Sequence, residues 1–207
     1  MPELMHSWRR AWSGIGEPND GISTYGALVA AYREPQRRYH TLQHLSECLS
    51  LFAANQGLAS RPAEVELGLW FHDAVYEVKN SDNEERSAEW ARAAITEGGA
   101  SETVAERVHS LVMVTRHTGV PAEPDEQLLV DIDLAILGAS ELRFAEYESQ
   151  IREEYAHVPE ALFKAKRGSI LRSFLDRERI FGTPHFHAEL EARARKNLAL
   201  AVAKNVA

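Results

Sequence analysis

Along most of this chain apolar residues recur at intervals of three and four, the spacing that lines one face of a helix. The stretch Asp20 to Tyr32 reads as a short helix with Leu28, Val29 and Tyr32 on its apolar side, ended by Pro35. From Thr41 to about Asn55, Leu42, Leu45, Leu49 and Phe52 share one face, and Gly57 stops the helix. Ser60 and Pro62 mark the start of another, which is expected to run through His72-Asp73 to about Tyr76. Asp82-Asn83-Glu84-Glu85 has the form of a capping box and opens a helix ending near Gly98-Gly99. Ser101 opens the next, with Val104, Val108, Leu111 and Val112 as its stripe and Gly119-Val120-Pro121 as its end. Pro124 begins a segment that Gly138 closes. Three more amphipathic helices follow, from Ser140 to about Tyr155, from Pro159 to about Arg179 and from His185 onward. No run alternates apolar and polar with the period of two that marks a strand. The expected fold is all-α, a single bundle over 1–207 with its core at about 25–140 and the helices of 141–207 packed on it.

Composition narrows the class. A hydrophobic fraction of 44% is ordinary for a globular chain of 207 residues. No apolar run approaches the roughly 20 residues that span a bilayer, and the N-terminus lacks the basic-then-apolar form of a secretory signal. Cys48 is the one cysteine, so no disulfide within the chain is possible, which fits a reducing, cytoplasmic setting. A net charge of −8 disfavours a surface that coats nucleic acid, because such binding neutralises phosphates. It leaves room for a small anionic substrate in a locally positive pocket, and a homodimer remains open.

Three segments break the apolar pattern with groups that are costly to bury. Leu67-Gly68-Leu69-Trp70-Phe71-His72-Asp73-Ala74-Val75-Tyr76 sets an imidazole and a carboxylate in an otherwise apolar run. Tyr39-His40-Thr41-Leu42-Gln43-His44 supplies two imidazoles four residues apart, expected on one helical face. Asp131-Ile132-Asp133 supplies two carboxylates in a third apolar stretch. A divalent metal shared among the segments is the usual way to hold such groups together. His72 and Asp73 diverge by about 100° around a helix axis, so an ion would sit between them; a buried His–Asp hydrogen bond is the plainer alternative. Asp131 and Asp133 face different ways, and Asp133, at the start of the buried turn Leu134-Ala135-Ile136-Leu137, is the favoured ligand, with Asp131 supporting a ligand imidazole. The mixed nitrogen and oxygen set suits Mn, Fe, Co, Ni or Zn better than Ca. Cys48, one turn after His44, reads as core filler. Arg37, three residues before His40, is the candidate anion anchor, with Arg38 as its alternative. Asn83 and Glu84 are placed to orient water or ribose, or merely to cap a helix. His117 in Thr115-Arg116-His117-Thr118 ends a helix, where its cation is favourable.

His44, His72-Asp73 and a distant Asp resemble the H…HD…D signature of the HD-domain superfamily of metal-dependent phosphohydrolases. Arg37-Arg38-Tyr39-His40-Thr41-Leu42-Gln43-His44, Trp70-Phe71-His72-Asp73-Ala74-Val75-Tyr76 and Asp82-Asn83-Glu84-Glu85-Arg86-Ser87-Ala88 resemble one bacterial branch of it, and the likeness extends to Arg167-Gly168-Ser169-Ile170-Leu171 and Ala194-Arg195-Lys196-Asn197-Leu198. The resemblance implies a helical HD-type domain whose metal ligands are His44, His72, Asp73 and Asp133, and a small, nucleotide-like phosphorylated substrate. The Tyr39–His44 stretch is also similar to the Tyr-His-Asn-x-x-His stretch of cyclic-nucleotide phosphodiesterases, with Thr41 in place of Asn. That likeness implies His40 as the acid that protonates a leaving oxygen. His117 would then contact phosphate or extend the site to a second metal.

The expected activity is hydrolysis of a phosphate ester or anhydride, with His40, Asp73 and Glu84 in the chemistry and Arg37 and His117 on the substrate. Two other readings stand beside it. One is a metal-stabilised helical sensing module without catalysis. The other is a di-iron oxygenase of HD type, which needs further histidines beyond His117.

Overall fold

A computed structural model describes residues 2–16 and 19–206. The helical periodicity is realised throughout, in ten α-helices with no strand among the described residues. They are α1 (Pro2–Gly14), α2 (Ile22–Ala31), α3 (Leu42–Asn55), α4 (Pro62–Phe71), α5 (Asn83–Gly98), α6 (Glu102–Met113), α7 (Pro124–Asp133), α8 (Glu141–Glu154), α9 (Glu160–Leu175) and α10 (Pro184–Val206). No helix among them is long and apolar enough to cross a membrane. Two compact units make up the chain, Met1–Ile132 and Asp133–Ala207. The division falls one residue before the end of α7, so Asp133 rides on a helix rooted in the first unit.

In the first unit α4 is the central element, packed by α1, α3, α5 and α6. Every residue from Glu64 to Phe71 is buried, which is the pattern of a helix enclosed on all sides. Two of those residues are acids, and each has its cation. Glu66 accepts from Ser7 Oγ at 2.6 Å and from Arg10 Nε at 3.0 Å, and Glu64 accepts from Arg107 Nε at 2.6 Å. Helix α1 was not among the expected helices, although Leu4, Trp8, Ala11 and Trp12 have helical spacing. It closes over α4 through aromatic contacts: Trp8 stacks on Trp12 with centroids 4.8 Å apart and meets Trp70 edge-on at 5.4 Å.

Helices α4 and α7 run side by side in the same direction. At their starts the Asp125 carboxylate accepts from the backbone N–H groups of Ser60 and Arg61, at 2.7 and 3.0 Å. Halfway along, Gly68 leaves room for Leu129 and for Leu111 of α6. A Cβ at position 68 would lie 2.5 Å from Leu129 Cδ1 and 3.2 Å from Leu111 Cβ. Gly68→Ala would gain about 1 kcal/mol of helix propensity and lose ~1–3 kcal/mol to overpacking. At the middle of that range the net loss is ~1 kcal/mol, a fall in melting temperature of roughly 2–4 °C in thermal unfolding.

Several element ends differ from the sequence expectation. Helix α4 stops at Phe71, not near Tyr76, and His72-Asp73 form the turn that follows it. Helix α3 starts at Leu42, with the Thr41 side chain capping Gln43 N–H, so His40 precedes the helix and does not share its face with His44. The capping box at Asp82 does not form. Asn83 instead brackets Glu77, accepting from its N–H at 3.1 Å and donating to its carbonyl at 3.0 Å. Helix α6 ends at Met113, and a 3₁₀ turn leads to His117, which takes a left-handed backbone with φ 54°. In the second unit α10 packs against α9 and the 3₁₀ turn Leu134–Gly138, which α8 also meets, and Asn197 Nδ2 donates to the carbonyls of Leu137 and Ala139.

Candidate metal centre

The centre begins where α4 ends. A helix leaves its last four carbonyls without partners in the ladder, and here each carbonyl at the end is satisfied by a specific group. Gly68 O accepts from His72 N–H at 2.9 Å, and Phe71 O accepts from Ala74 N–H at 2.9 Å. Trp70 O accepts from Tyr32 Oη at 3.2 Å. Leu69 O accepts from His72 Nδ1 at 2.8 Å. A carbonyl can only accept, so this last bond fixes the proton on Nδ1 and presents the Nε2 lone pair on the opposite side of the ring.

That lone pair faces two other groups. His72 Nε2 lies 3.0 Å from His44 Nε2 and 3.0 Å from Asp73 Oδ2. The third side of the triangle, His44 Nε2 to Asp73 Oδ2, is 3.5 Å. Asp73 Oδ2 is buried and has no hydrogen-bond partner, despite its closeness to both rings. Burial pushes the Asp73 carboxyl up, but His72, His40 and His44 around it outweigh burial and hold it well below the usual carboxylate range. Three electron-rich atoms at these distances repel unless a cation lies among them. A proton serves one pair along one line, whereas a metal ion serves all three atoms at once. Nitrogen and oxygen donors about 2.0–2.1 Å from one ion stand roughly 3.0–3.4 Å apart, so the residues present fit a bound divalent metal.

Two further donors belong to the cluster. One ligating atom from each of His44, Cys48, His72 and Asp133 lies within 4.8 Å of every other. The Cys48 thiol is 3.7 Å from His44 Nδ1 and 3.8 Å from Nε2. Asp133 lies at the C-terminal end of α7, and that end, like that of α4, carries the negative pole of a helix, which favours a cation. The expected ligands His44, His72 and Asp73 are thus together, and Asp133 rather than Asp131 joins the two imidazoles. Cys48 was read as core filler. Its signal was available, since it lies four residues after His44 on the same helical face.

The remaining residues of the expected site are placed differently. His40, half-buried, stacks on Tyr76 with centroids 4.1 Å apart, and its ring centroid is 6.1 Å from that of His44. Glu84 is half-buried in the first turn of α5. Glu84 and His117 are not part of the group of mutually close ligating atoms among the described residues. Arg37 corrects the expectation most clearly. It is buried, and its guanidinium donates to the carbonyls of His40 (3.1 Å), Asp73 (2.6 Å) and Ala74 (2.9 Å), while Nε pairs with Glu34 at 3.1 Å. The rings of Tyr32 and Tyr76 lie 5.2 and 5.5 Å from it. So placed, Arg37 ties the His40 segment to the His72-Asp73 turn and does not present a fork to an anion.

Exposure gives the centre a direction. The side chains of His44 and His72 are 3% and 1% exposed, whereas that of Asp73 is 18% exposed. Solvent reaches the cluster at its carboxylates, since Asp133 is also half-buried. No profile of a known protein family matches the chain, and no curated protein and no solved structure matches it either.

Proposed function

We propose that this chain is a metal-dependent phosphohydrolase that cleaves a small phosphate ester or anhydride of nucleotide-like chemistry. The observation that carries the reading is Asp73 Oδ2, buried without a hydrogen bond and set 3.0 and 3.5 Å from two imidazole nitrogens. The resemblance of His44, His72-Asp73 and Asp133 to the HD signature supports it. His44, His72, Asp73 and Asp133 would hold a divalent transition metal. Such a cation, when bound, acts as a Lewis acid toward a phosphoryl oxygen and acidifies water.

The chain's own residues supply the remaining parts. Asp73, part-exposed, would hold the metal where solvent and substrate reach it. His40, braced against Tyr76 outside the helix, donates a proton to the leaving oxygen. Glu84 on α5 steers the attacking water. Arg37 acts one step back, holding the carbonyls of His40, Asp73 and Ala74 so that the acid and the ligand keep their spacing.

The test is a screen of nucleotides and simple phosphate esters with added divalent metals, run beside Asp73→Ala and His40→Gln. Wild type is expected to release phosphate and Asp73→Ala to release none above background. His40→Gln is expected to keep its metal and lose ~10²–10⁴ in kcat, the usual range for a general acid. Equal release by wild type and Asp73→Ala would remove the catalytic assignment. One observation favours a second reading. His44, Cys48 and His72 are buried, as in a closed structural site, which fits a metal-stabilised module without turnover. Stoichiometric metal with no turnover across the screen would select it.

A further inference from the structure

We infer that Cys48 is itself a metal donor, and that the centre is built for a borderline cation such as zinc or cobalt(II) rather than for magnesium, calcium or manganese. The inference rests on the metal reading above and adds a sulfur to it. Helix α3 places Cys48 one turn beyond His44, and both point into the cluster. The thiol lies 3.7 and 3.8 Å from the two ring nitrogens of His44. A sulfur about 2.3 Å and a nitrogen about 2.0–2.1 Å from one ion stand roughly 3.5 Å apart, so only a small adjustment separates this arrangement from coordination.

Cys48 does not stand alone. Its sulfur belongs with two imidazoles and the Asp133 carboxylate, all within 4.8 Å of one another. Independently of the sulfur, the buried and unbonded Asp73 Oδ2 calls for a cation beside the same two imidazoles. Two nitrogens, a sulfur and carboxylate oxygens form a mixed set of intermediate softness. Magnesium and calcium take oxygen ligands almost exclusively and gain nothing from a thiol. Zinc and cobalt(II) bind thiolate strongly, and the thiol gives up its proton to solvent as it binds. Cys48 is 2% exposed, so water has little access to compete for that position.

The composition makes the test clean, because the chain holds one cysteine. The full chain is stripped of metal and titrated with cobalt(II), and its absorption spectrum is recorded. A sulfur-to-cobalt charge-transfer band in the near ultraviolet is expected in wild type. Cys48→Ser is expected to lose that band while keeping the visible bands of cobalt held by the imidazoles and carboxylates. Its zinc affinity is expected to fall ~10–100-fold, with manganese affinity changed less than twofold. Cobalt bound by wild type without the charge-transfer band would overturn the sulfur assignment and leave the metal reading standing. No cobalt bound at all would overturn both. The wild-type spectrum decides by itself should Cys48→Ser fold poorly.

Discussion

His72→Ala is expected to empty the centre. The apparent binding energy of a zinc site of four protein ligands is about 10–16 kcal/mol, so one ligand is worth ~2.5–4 kcal/mol. At 1.4 kcal/mol per factor of ten, affinity falls roughly 10²–10³-fold, and metal no longer survives dialysis. Phosphate release falls with it. Elemental analysis of the purified variant checks the first effect, and the phosphate screen the second. The fold is expected to survive, since the packing of α4 among α1, α3, α5 and α6 is untouched, although the change frees the Leu69 carbonyl and removes the imidazole beside Asp73 and His44. Far-ultraviolet circular dichroism matching wild type would show this. A variant that retains stoichiometric metal would mean that His72 and Asp73 form a plain buried ion pair.

Arg37→Met is expected to be the most destabilising single change at the site. Methionine retains an apolar stem but none of the donors, leaving the carbonyls of His40, Asp73 and Ala74 without their partner. Unsatisfied buried groups cost ~1–3 kcal/mol each, and breaking a buried charged network typically costs about 3–5 kcal/mol in all. For a chain of this size that is a drop of roughly 6–20 °C in melting temperature. Arg37→Lys is not expected to rescue it, because a compact ammonium cannot reach three carbonyls and a carboxylate in the plane that a guanidinium spans. The two roles for Arg37 separate by measurement. A substrate anchor would raise KM and leave the melting temperature unchanged, whereas the clamp seen here lowers the melting temperature and weakens metal binding together.

Much of the helical architecture was legible because the chain's apolar spacing is regular, and the buried acids Glu64 and Glu66 do not disturb the all-α outcome. The buried polar cluster was legible for a different reason. His72-Asp73 in an apolar run is costly without a partner, and such cost shows in sequence. What was not legible came from tertiary contacts. The end of α4 at Phe71 depends on Tyr32 and the His72 ring taking up its carbonyls, with Arg37 holding those of the turn that follows, and no local rule announces that. His40 was assigned to the face of α3 by counting four residues, but the Thr41 cap starts the helix after it. The closeness of Cys48 to the imidazoles was not legible, because a lone thiol in an apolar stripe looks the same whether it fills space or faces imidazoles. The aromatic face of α1 carried its own periodic signal in Leu4, Trp8, Ala11 and Trp12.

The pairing of α4 with α7 has a thermodynamic meaning. Asp125 pins the two rods at one end, and His72 and Asp133 meet at the other, with donors drawn from positions as far apart as 44 and 133. An unfolded chain cannot assemble that grip, so a cation held as proposed would act as a reversible cross-link that only the native state can close. Cofactor occupancy and conformational stability would then be a single linked equilibrium, in which scarcity of the ion loosens the scaffold.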